Sequence, residues 1–128
     1  MAAASDYLEN ELLDHALGTG SWSAPANVYV ALFTTAVNDD GSGSEVSAGG
    51  YARELATFAA ASGGSASTSA DLEFGPASAS WGTVTHVAIY DASSGGNLLF
   101  HGALSASKTI GDGDEFKIAT GNLTVTLA

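Results

Sequence analysis

Length, composition and charge limit what this chain can be. It has 128 residues, of which 45% are hydrophobic, so it can form one domain with one core and is too apolar for a disordered segment. Fourteen acidic residues face three basic ones, Arg53, Lys108 and Lys117, for a formal net charge of −11. Because proteins bind nucleic acids and anionic membranes through clusters of Lys and Arg, we expect neither as a partner.

Cysteine usage and targeting signals exclude further classes of protein. The chain has no cysteine, which excludes disulfides and thiolate metal sites. It contains no run of about eighteen apolar residues, and residues 1–6 lack the basic and apolar regions of a secretory signal. These features predict a protein made in a reducing cytoplasm.

The first predicted element is a helix over residues 6–17. Asp6 and Glu9 have the spacing of a capping box, in which Asp6 accepts a hydrogen bond from the backbone N–H of Glu9. Gly18 and Gly20 end the helix. Its apolar stripe has members four positions apart with two leucines beside them: Leu8, Leu12 and Ala16, with Leu13 and Leu17.

After the helix, the periodicity changes to that of β-strands. Residues 28–33 (VYVALF) are apolar on both strand faces, which is typical of a central strand covered on both sides. Residues 83–90 (TVTHVAIY) form the clearest strand, and a hairpin loop at 91–96 leads to a returning strand at 97–104.

The remaining segments are shorter or less regular. Residues 51–58 suit a strand or a helical turn, and the Ser/Gly-rich residues 62–69 suit a solvated edge or a loop. The other predicted segments are strands at 72–74, 116–118 and 123–127, a turn at 111–114, and a long polar loop at 36–50.

Short strands between turn signals indicate antiparallel sheets rather than βαβ units. The predicted fold is all-β: an antiparallel β-sandwich or barrel, jelly-roll-like, with one short N-terminal α-helix. We divide the chain into an N-terminal amphipathic helix, residues 1–20, and a β-sandwich domain, residues 21–128.

Residues with reactive or metal-binding side chains form no recognisable catalytic motif. There is no cysteine nucleophile and no G-x-S-x-G elbow. His86 and His101 fall on the two arms of the predicted hairpin but lack a third zinc ligand, and we interpret them as half-buried imidazoles with hydrogen-bond partners. Residues 38–45 crowd oxygen ligands without the EF-hand spacing, and we interpret them as a solvated acidic loop. We therefore predict no catalytic residue, no metal and no cofactor.

Two tryptophans, Trp22 and Trp81, each begin or precede a predicted strand. They could be surface platforms for a sugar or a protein, but large apolar side chains more often close the end of a sandwich. We favour the second interpretation. A carbohydrate-binding module that uses either tryptophan and a hydrolase with an unrecognised site are the less favoured hypotheses.

Blocks of sequence along almost the whole chain resemble a family of small virion proteins of tailed bacteriophages. The blocks are DYLEN and LLDH at 6–15, VYVALFTT at 28–35, EVS and GYAR at 45–53, WGTVTH at 81–86, DASSGGNLL at 91–99, and residues 108–114. Members of this family are described as capsid decoration, tail fibre or minor tail proteins. The resemblance implies a virion component, and it brings no catalytic motif.

Three features then favour a capsid decoration (cement) protein: the compact length without a fibre repeat, the acidity and the resemblance. Such a protein would be a homo-oligomer, with a trimer favoured, bound to the phage major capsid protein outside the shell, and the virion would be assembled in the host cytoplasm. The alternative is a tail fibre, tail-tip or baseplate subunit that contacts tail proteins and the host surface.

The helix over residues 6–17 is the element that we expect to make contact between subunits or with the capsid, although it could instead cap its own sandwich. The expected contact residues are all large and apolar or aromatic: Tyr7, Leu8, Leu12, Leu13, Leu17, Trp22 and Trp81.

Overall fold

The computed structural model describes residues 3–127, in which one α-helix and nine β-strands are present. The elements are β1 (Ala3–Ala4), α1 (Asp6–Ala16), β2 (Val28–Phe33), β3 (Glu54–Ala56), β4 (Ser65–Ser67), β5 (Leu72–Phe74), β6 (Gly82–Tyr90), β7 (Leu98–Ile110), β8 (Phe116–Ile118) and β9 (Thr124–Thr126). Met1, Ala2 and Ala128, which belong to the predicted domain ranges, lie outside the described residues. No helix within residues 3–127 is long and apolar enough to cross a membrane.

The strands form one main sheet and two ribbons, all antiparallel. The main sheet has the order β1-β7-β6-β2-β3, while β4 pairs with β9 and β5 with β8. One core cluster takes side chains from the main sheet and from both ribbons, including Val30, Val84, Phe74 and Val125. The fold is therefore sandwich-like, and within the described part of the chain the sheets do not close into a barrel. The predicted all-β class with one N-terminal helix is confirmed.

The central strand β2 has the predicted bounds, and both of its faces are buried. Val30 and Leu32 belong to the large core cluster on one face of the sheet, whereas Ala31 and Phe33 belong to a second cluster on the other face. All four are at most 2% exposed. Val37, from the loop after β2, completes the second cluster, so this loop covers the face that the ribbons leave open.

The helix begins at Asp6, as predicted, but its N-cap is Ser5 rather than Asp6. The Ser5 side chain accepts a hydrogen bond from the N–H of Leu8, and Asp6 is the first helical residue. Ser5 is fully buried; its N–H donates to the Leu99 carbonyl and its hydroxyl to the Leu98 carbonyl. The proposed capping box was wrong because pairing with β7 fixes the chain as far as Ser5, and the helix starts directly afterwards.

Strand β7 is longer than predicted, since it continues from Leu98 to Ile110 instead of ending at 104. Its residues 105–109 are exposed and mostly small and polar, so no apolar alternation marks them as a strand. The strand is also irregular: Val84 pairs with Lys108 and His86 with Ala103, so the residues between them bulge from the ladder.

The segments left open in the sequence become short strands. Only Glu54–Ala56 of residues 51–58 is a strand, and Ser65–Ser67 forms a ribbon with Thr124–Thr126. The two turns predicted at 91–96 and 111–114 lie where expected, joining β6 to β7 and β7 to β8.

The two-sided burial of β2 leads to a stability prediction. We expect Leu32→Ala, at a side chain with no exposed surface, to lower the free energy of unfolding by about 2–5 kcal/mol, because the cavity adds to the lost apolar burial. Leu55→Ala, at a side chain that is 51% exposed, should change it by no more than about 0.5 kcal/mol. Urea unfolding measures both values, and equal losses would contradict this assignment of the core.

Candidate functional site

The most highly connected polar site surrounds Arg53, at the edge of the main sheet. Arg53 directly precedes β3, and three other side chains join it: Glu45 from the loop after β2, Tyr51, and Tyr90 from the end of β6. We call these four residues the Arg53 cluster. The loop reaches this place because Val46 N–H donates to the Leu32 carbonyl and Glu45 forms a β-bridge with Phe33.

Arg53 makes four hydrogen bonds and one aromatic contact. Its Nε and Nη2 donate to the two carboxylate oxygens of Glu45, both at 2.9 Å, as a bidentate ion pair. Its Nη1 donates to the carbonyls of Ala92 and Gly95, at 3.0 and 2.9 Å, in the β6–β7 hairpin loop. The guanidinium carbon lies 3.8 Å from the centre of the Tyr90 ring. Arg53 thus ties two loops to the sheet, with a geometry that a lysine does not match.

Tyr51 extends the cluster into the core. Its hydroxyl donates to Glu45 Oε2 at 2.6 Å and accepts from the Leu32 N–H at 3.0 Å. Burial and the hydrogen bond to Glu45 raise the pKa of Tyr51, so the hydroxyl stays protonated and remains a donor. The Tyr51 ring makes an edge contact with Trp81, whose Nε1 donates to the Gly49 carbonyl at 2.9 Å.

The electrostatics of Glu45 follow from the same contacts. Burial raises the pKa of Glu45, but the hydrogen bonds from Arg53 and Tyr51 lower it by more in total, so its pKa lies below the ordinary value. Glu45 is therefore ionised at neutral pH and neutralises Arg53. Since the charges and most of the donors in the Arg53 cluster are satisfied internally, its chemistry suits a structural clamp.

A polar cleft of about 540 Å³ opens beside the Arg53 cluster, between the start of α1 and the two tied loops. Asp6, Glu9 and Asp39 lie at this end of α1, and each has a carboxylate oxygen within 4.8 Å of those of the other two. Among the described residues they form the group of acidic side chains that could share a cation, and all three are exposed. Only Asp39 comes from the acidic loop noted in the sequence.

Two of the histidines, His86 and His101, lie where the sequence predicted them. His86 and His101 are half-buried on neighbouring strands, with His101 paired to Ala88. His101 Nε2 lies 2.7 Å from Asp39 Oδ1, and His86 Nδ1 lies 2.8 Å from the hydroxyl of Thr85. The prediction of half-buried imidazoles with partners is confirmed.

The residues predicted to make intersubunit contacts are divided between the core and the surface. Leu8 and Trp81 are buried, at 2% and 4% exposure, and belong to the large core cluster. Tyr7, Leu12 and Trp22 are partly buried and pack against that cluster. Leu13 and Leu17 are 57% and 72% exposed. That these residues contact another subunit stays a prediction, and only the last two have most of their apolar surface free to do so.

The tryptophans bear on the carbohydrate-binding hypothesis. Trp81 closes the core and uses its indole N–H inside the chain, so the interpretation as a plug is confirmed for it. Trp22 is partly buried, and its backbone N–H donates to His15 Nδ1. Stacking on a sugar needs an open ring face, which buried Trp81 does not have.

Sequence reasoning missed the Arg53 cluster, as well as the exposed apolar side chains of Leu55 and Leu127. The partners of Arg53 are 8, 39 and 42 residues away, so no local spacing joins them. One signal was present: Arg53 is the only arginine in a very acidic chain, and a lone arginine among many acids favours a specific ion pair.

Together, fold and site define a small β-sandwich-like structural domain in which the main polar cluster holds the domain's own loops in place. The chain belongs to the family described as Podophage GP4 fiber I protein gp80, whose sequence model matches residues 3–126. The family is one of structural fibre proteins of tailed phages, so the protein is a virion component, and the predicted resemblance to tailed-phage virion proteins is confirmed. No curated protein matches the chain.

The bidentate pair predicts a large effect of removing its cation. We expect Arg53→Met to lower the free energy of unfolding by on the order of 3 kcal/mol, because Glu45 loses its ion-pair partner and two backbone carbonyls lose their donor. The matched control is Lys117→Met, whose partner Asp71 lies 3.3 Å away with both side chains well exposed. That change should stay within about 1 kcal/mol. Similar losses in both variants would contradict the role of the Arg53 cluster as a clamp.

The lowered pKa of Glu45 predicts a pH dependence of stability. Because the folded pKa lies below the ordinary value of 4.5, the unfolded chain takes up the proton first as the pH falls. Stability from this group is therefore present above about pH 5 and is lost as the pH falls through the folded pKa. Urea unfolding between about pH 7 and pH 3 should show a shallower fall for Glu45→Gln than for the unchanged chain. Parallel curves would contradict the assignment.

Proposed function

We propose that this protein is a structural subunit of a fibre on the virion of a tailed phage, and that it acts through contacts between its surface and neighbouring virion proteins. The observation that carries the proposal is the family match, which covers residues 3–126 and whose description names a fibre protein. The sequence alone favoured capsid decoration and left a tail fibre subunit as the alternative. With the family match, the fibre subunit becomes the first candidate.

The physical properties of the domain support this proposal. A fibre subunit has to keep its shape under mechanical load, and the central strand β2 is covered on both faces. The loops that would otherwise move are fixed to the sheet by Arg53. A rigid domain with fixed loops presents the same contact surface in each copy, which lowers the entropic penalty of assembly.

Capsid decoration is the second candidate, and a specific observation favours it. The chain is a compact 128-residue domain without an internal repeat, which suits a unit that is added singly to a shell. In that case the partner is the major capsid protein and the oligomer is a trimer at three-fold positions, so that small contacts are multiplied by the lattice. The family description names a fibre, which is why this candidate is placed second.

Labelled virions distinguish the two candidates. Purified particles would be treated with gold-conjugated antibodies raised against the protein and viewed by electron microscopy, with particles from a gene-deletion phage as the control. Label on fibres that project from the particle supports the proposal, because a fibre subunit is present only in fibres. Label spread over the head overturns it in favour of capsid decoration, and particles with no label contradict both.

A further inference from the structure

We propose that the outer face of α1, centred on Leu13 and Leu17, docks into an apolar groove with a basic rim on a different virion protein. The inference rests on the proposed function, because it names the partner chemistry of a subunit that acts by adhesion. We call Leu13 and Leu17 the helix ridge.

The geometry of α1 separates the helix ridge from the core. Leu8 is the buried residue of the helix, and each residue turns the helix by about 100°, so Leu13 points about 140° away from it. Leu17, the C-cap residue, follows Leu13 after one turn on nearly the same line. The apolar stripe predicted from the sequence is therefore two faces: Leu8 and Leu12 pack inward, and the helix ridge points outward.

Single exposed leucines are common on soluble proteins, but two that are one turn apart on a helix form a continuous apolar ridge. Their exposed fractions, 57% and 72%, are the two highest of the exposed large hydrophobic side chains in residues 3–127. Such a ridge matches the anchor spacing by which helices bind in apolar grooves. The helix is held to β7 through the hydrogen bonds of Ser5, and Leu8 anchors it in the core, so the ridge is presented without further folding.

Charge identifies the occupant. The helix carries four acidic residues and no lysine or arginine: Asp6, Glu9, Glu11 and Asp14. The three cations of the chain lie elsewhere, with Arg53 paired to Glu45 and Lys117 to Asp71. A second copy would bring another net charge of −11 against this face, and like charges across an interface are unfavourable. A different protein with lysines and arginines around an apolar groove complements both the acidic residues of the helix and its two exposed leucines.

The first test replaces the helix ridge in the phage. A phage with the gene deleted is complemented with Leu13→Glu/Leu17→Glu or with the matched control Leu55→Glu/Leu127→Glu, which adds the same charges at two other exposed leucines. Quantitative mass spectrometry then measures the protein in purified particles. We expect the ridge variant to be incorporated at least about tenfold less than the unchanged chain, and the control within about twofold. Equal melting temperatures of the purified variants exclude misfolding as the cause.

The second test identifies what touches the ridge. A photo-reactive amino acid at position 17 is cross-linked in intact particles, and the attached peptide is sequenced. We expect a peptide of another virion protein with several Lys or Arg residues, and we expect rebinding of the purified protein to gene-deletion particles to weaken as salt is raised. A cross-link to a second copy, the absence of any cross-link, or salt-independent rebinding overturns the inference.

The two proposals fail in distinguishable ways. If the unchanged protein is missing from purified particles, the proposed function itself is wrong. If the protein is present and the ridge variant is incorporated normally, the fibre proposal stands and only the docking surface is wrong.

Discussion

The structure depends on one constraint, which is that the middle of the main sheet has to be covered on both faces. In β2 the alternate residues Val30 and Leu32 face one core cluster, and Ala31 and Phe33 face another. A sheet with two apolar faces is stable only between two layers. The ribbons and α1 provide one layer, and the loop after β2, which carries Val37, provides the other. Arg53 fixes this loop through Glu45. The Arg53 cluster therefore also holds in place the layer that covers the second face of the sheet.

The parts of the fold that sequence predicts are those in which local pattern and tertiary environment agree. The bounds of β2 follow from an apolar run on both strand faces, and the β6–β7 hairpin follows from two largely apolar segments on either side of a Ser/Gly-rich loop. The predicted helix, residues 6–17, likewise differs from α1 by one residue at its C-terminal end. The exposed end of β7 was missed because residues 105–109 lack an apolar alternation, and within them Lys108 and Thr109 pair with β6.

The candidate site was predicted less completely than the fold, because its parts come from distant segments. The Ser5 cap depends on backbone groups of Leu98 and Leu99, far along the chain, and the Arg53 cluster depends on three separate segments. The sequence predicted that Leu13 and Leu17 lie on an apolar helix, but not that they face away from the core. Spacing alone groups Leu13 and Leu17 with the buried stripe, and the burial of Leu8 in the core shows that they face outward.

These features are consistent with the proposal that the protein acts by adhesion to neighbouring proteins. The internal polar groups stabilise the shape of the domain, while the chain carries a large negative charge and its surface includes the helix ridge. Such a combination favours binding to a basic partner and disfavours uncontrolled self-association, which a fibre component has to avoid before assembly. Membership of a phage fibre family fits this division between a fixed interior and a surface that we propose to be adhesive.

The most direct measurement is a cryo-electron microscopy reconstruction of the intact virion, resolved well enough to fit single domains. The account predicts that residues 3–127 fit as one folded unit into the density of a fibre, with α1 lying against a neighbouring protein. A reconstruction into which this domain cannot be fitted would contradict the account. So would a fitted chain in which the central sheet is not covered on both faces.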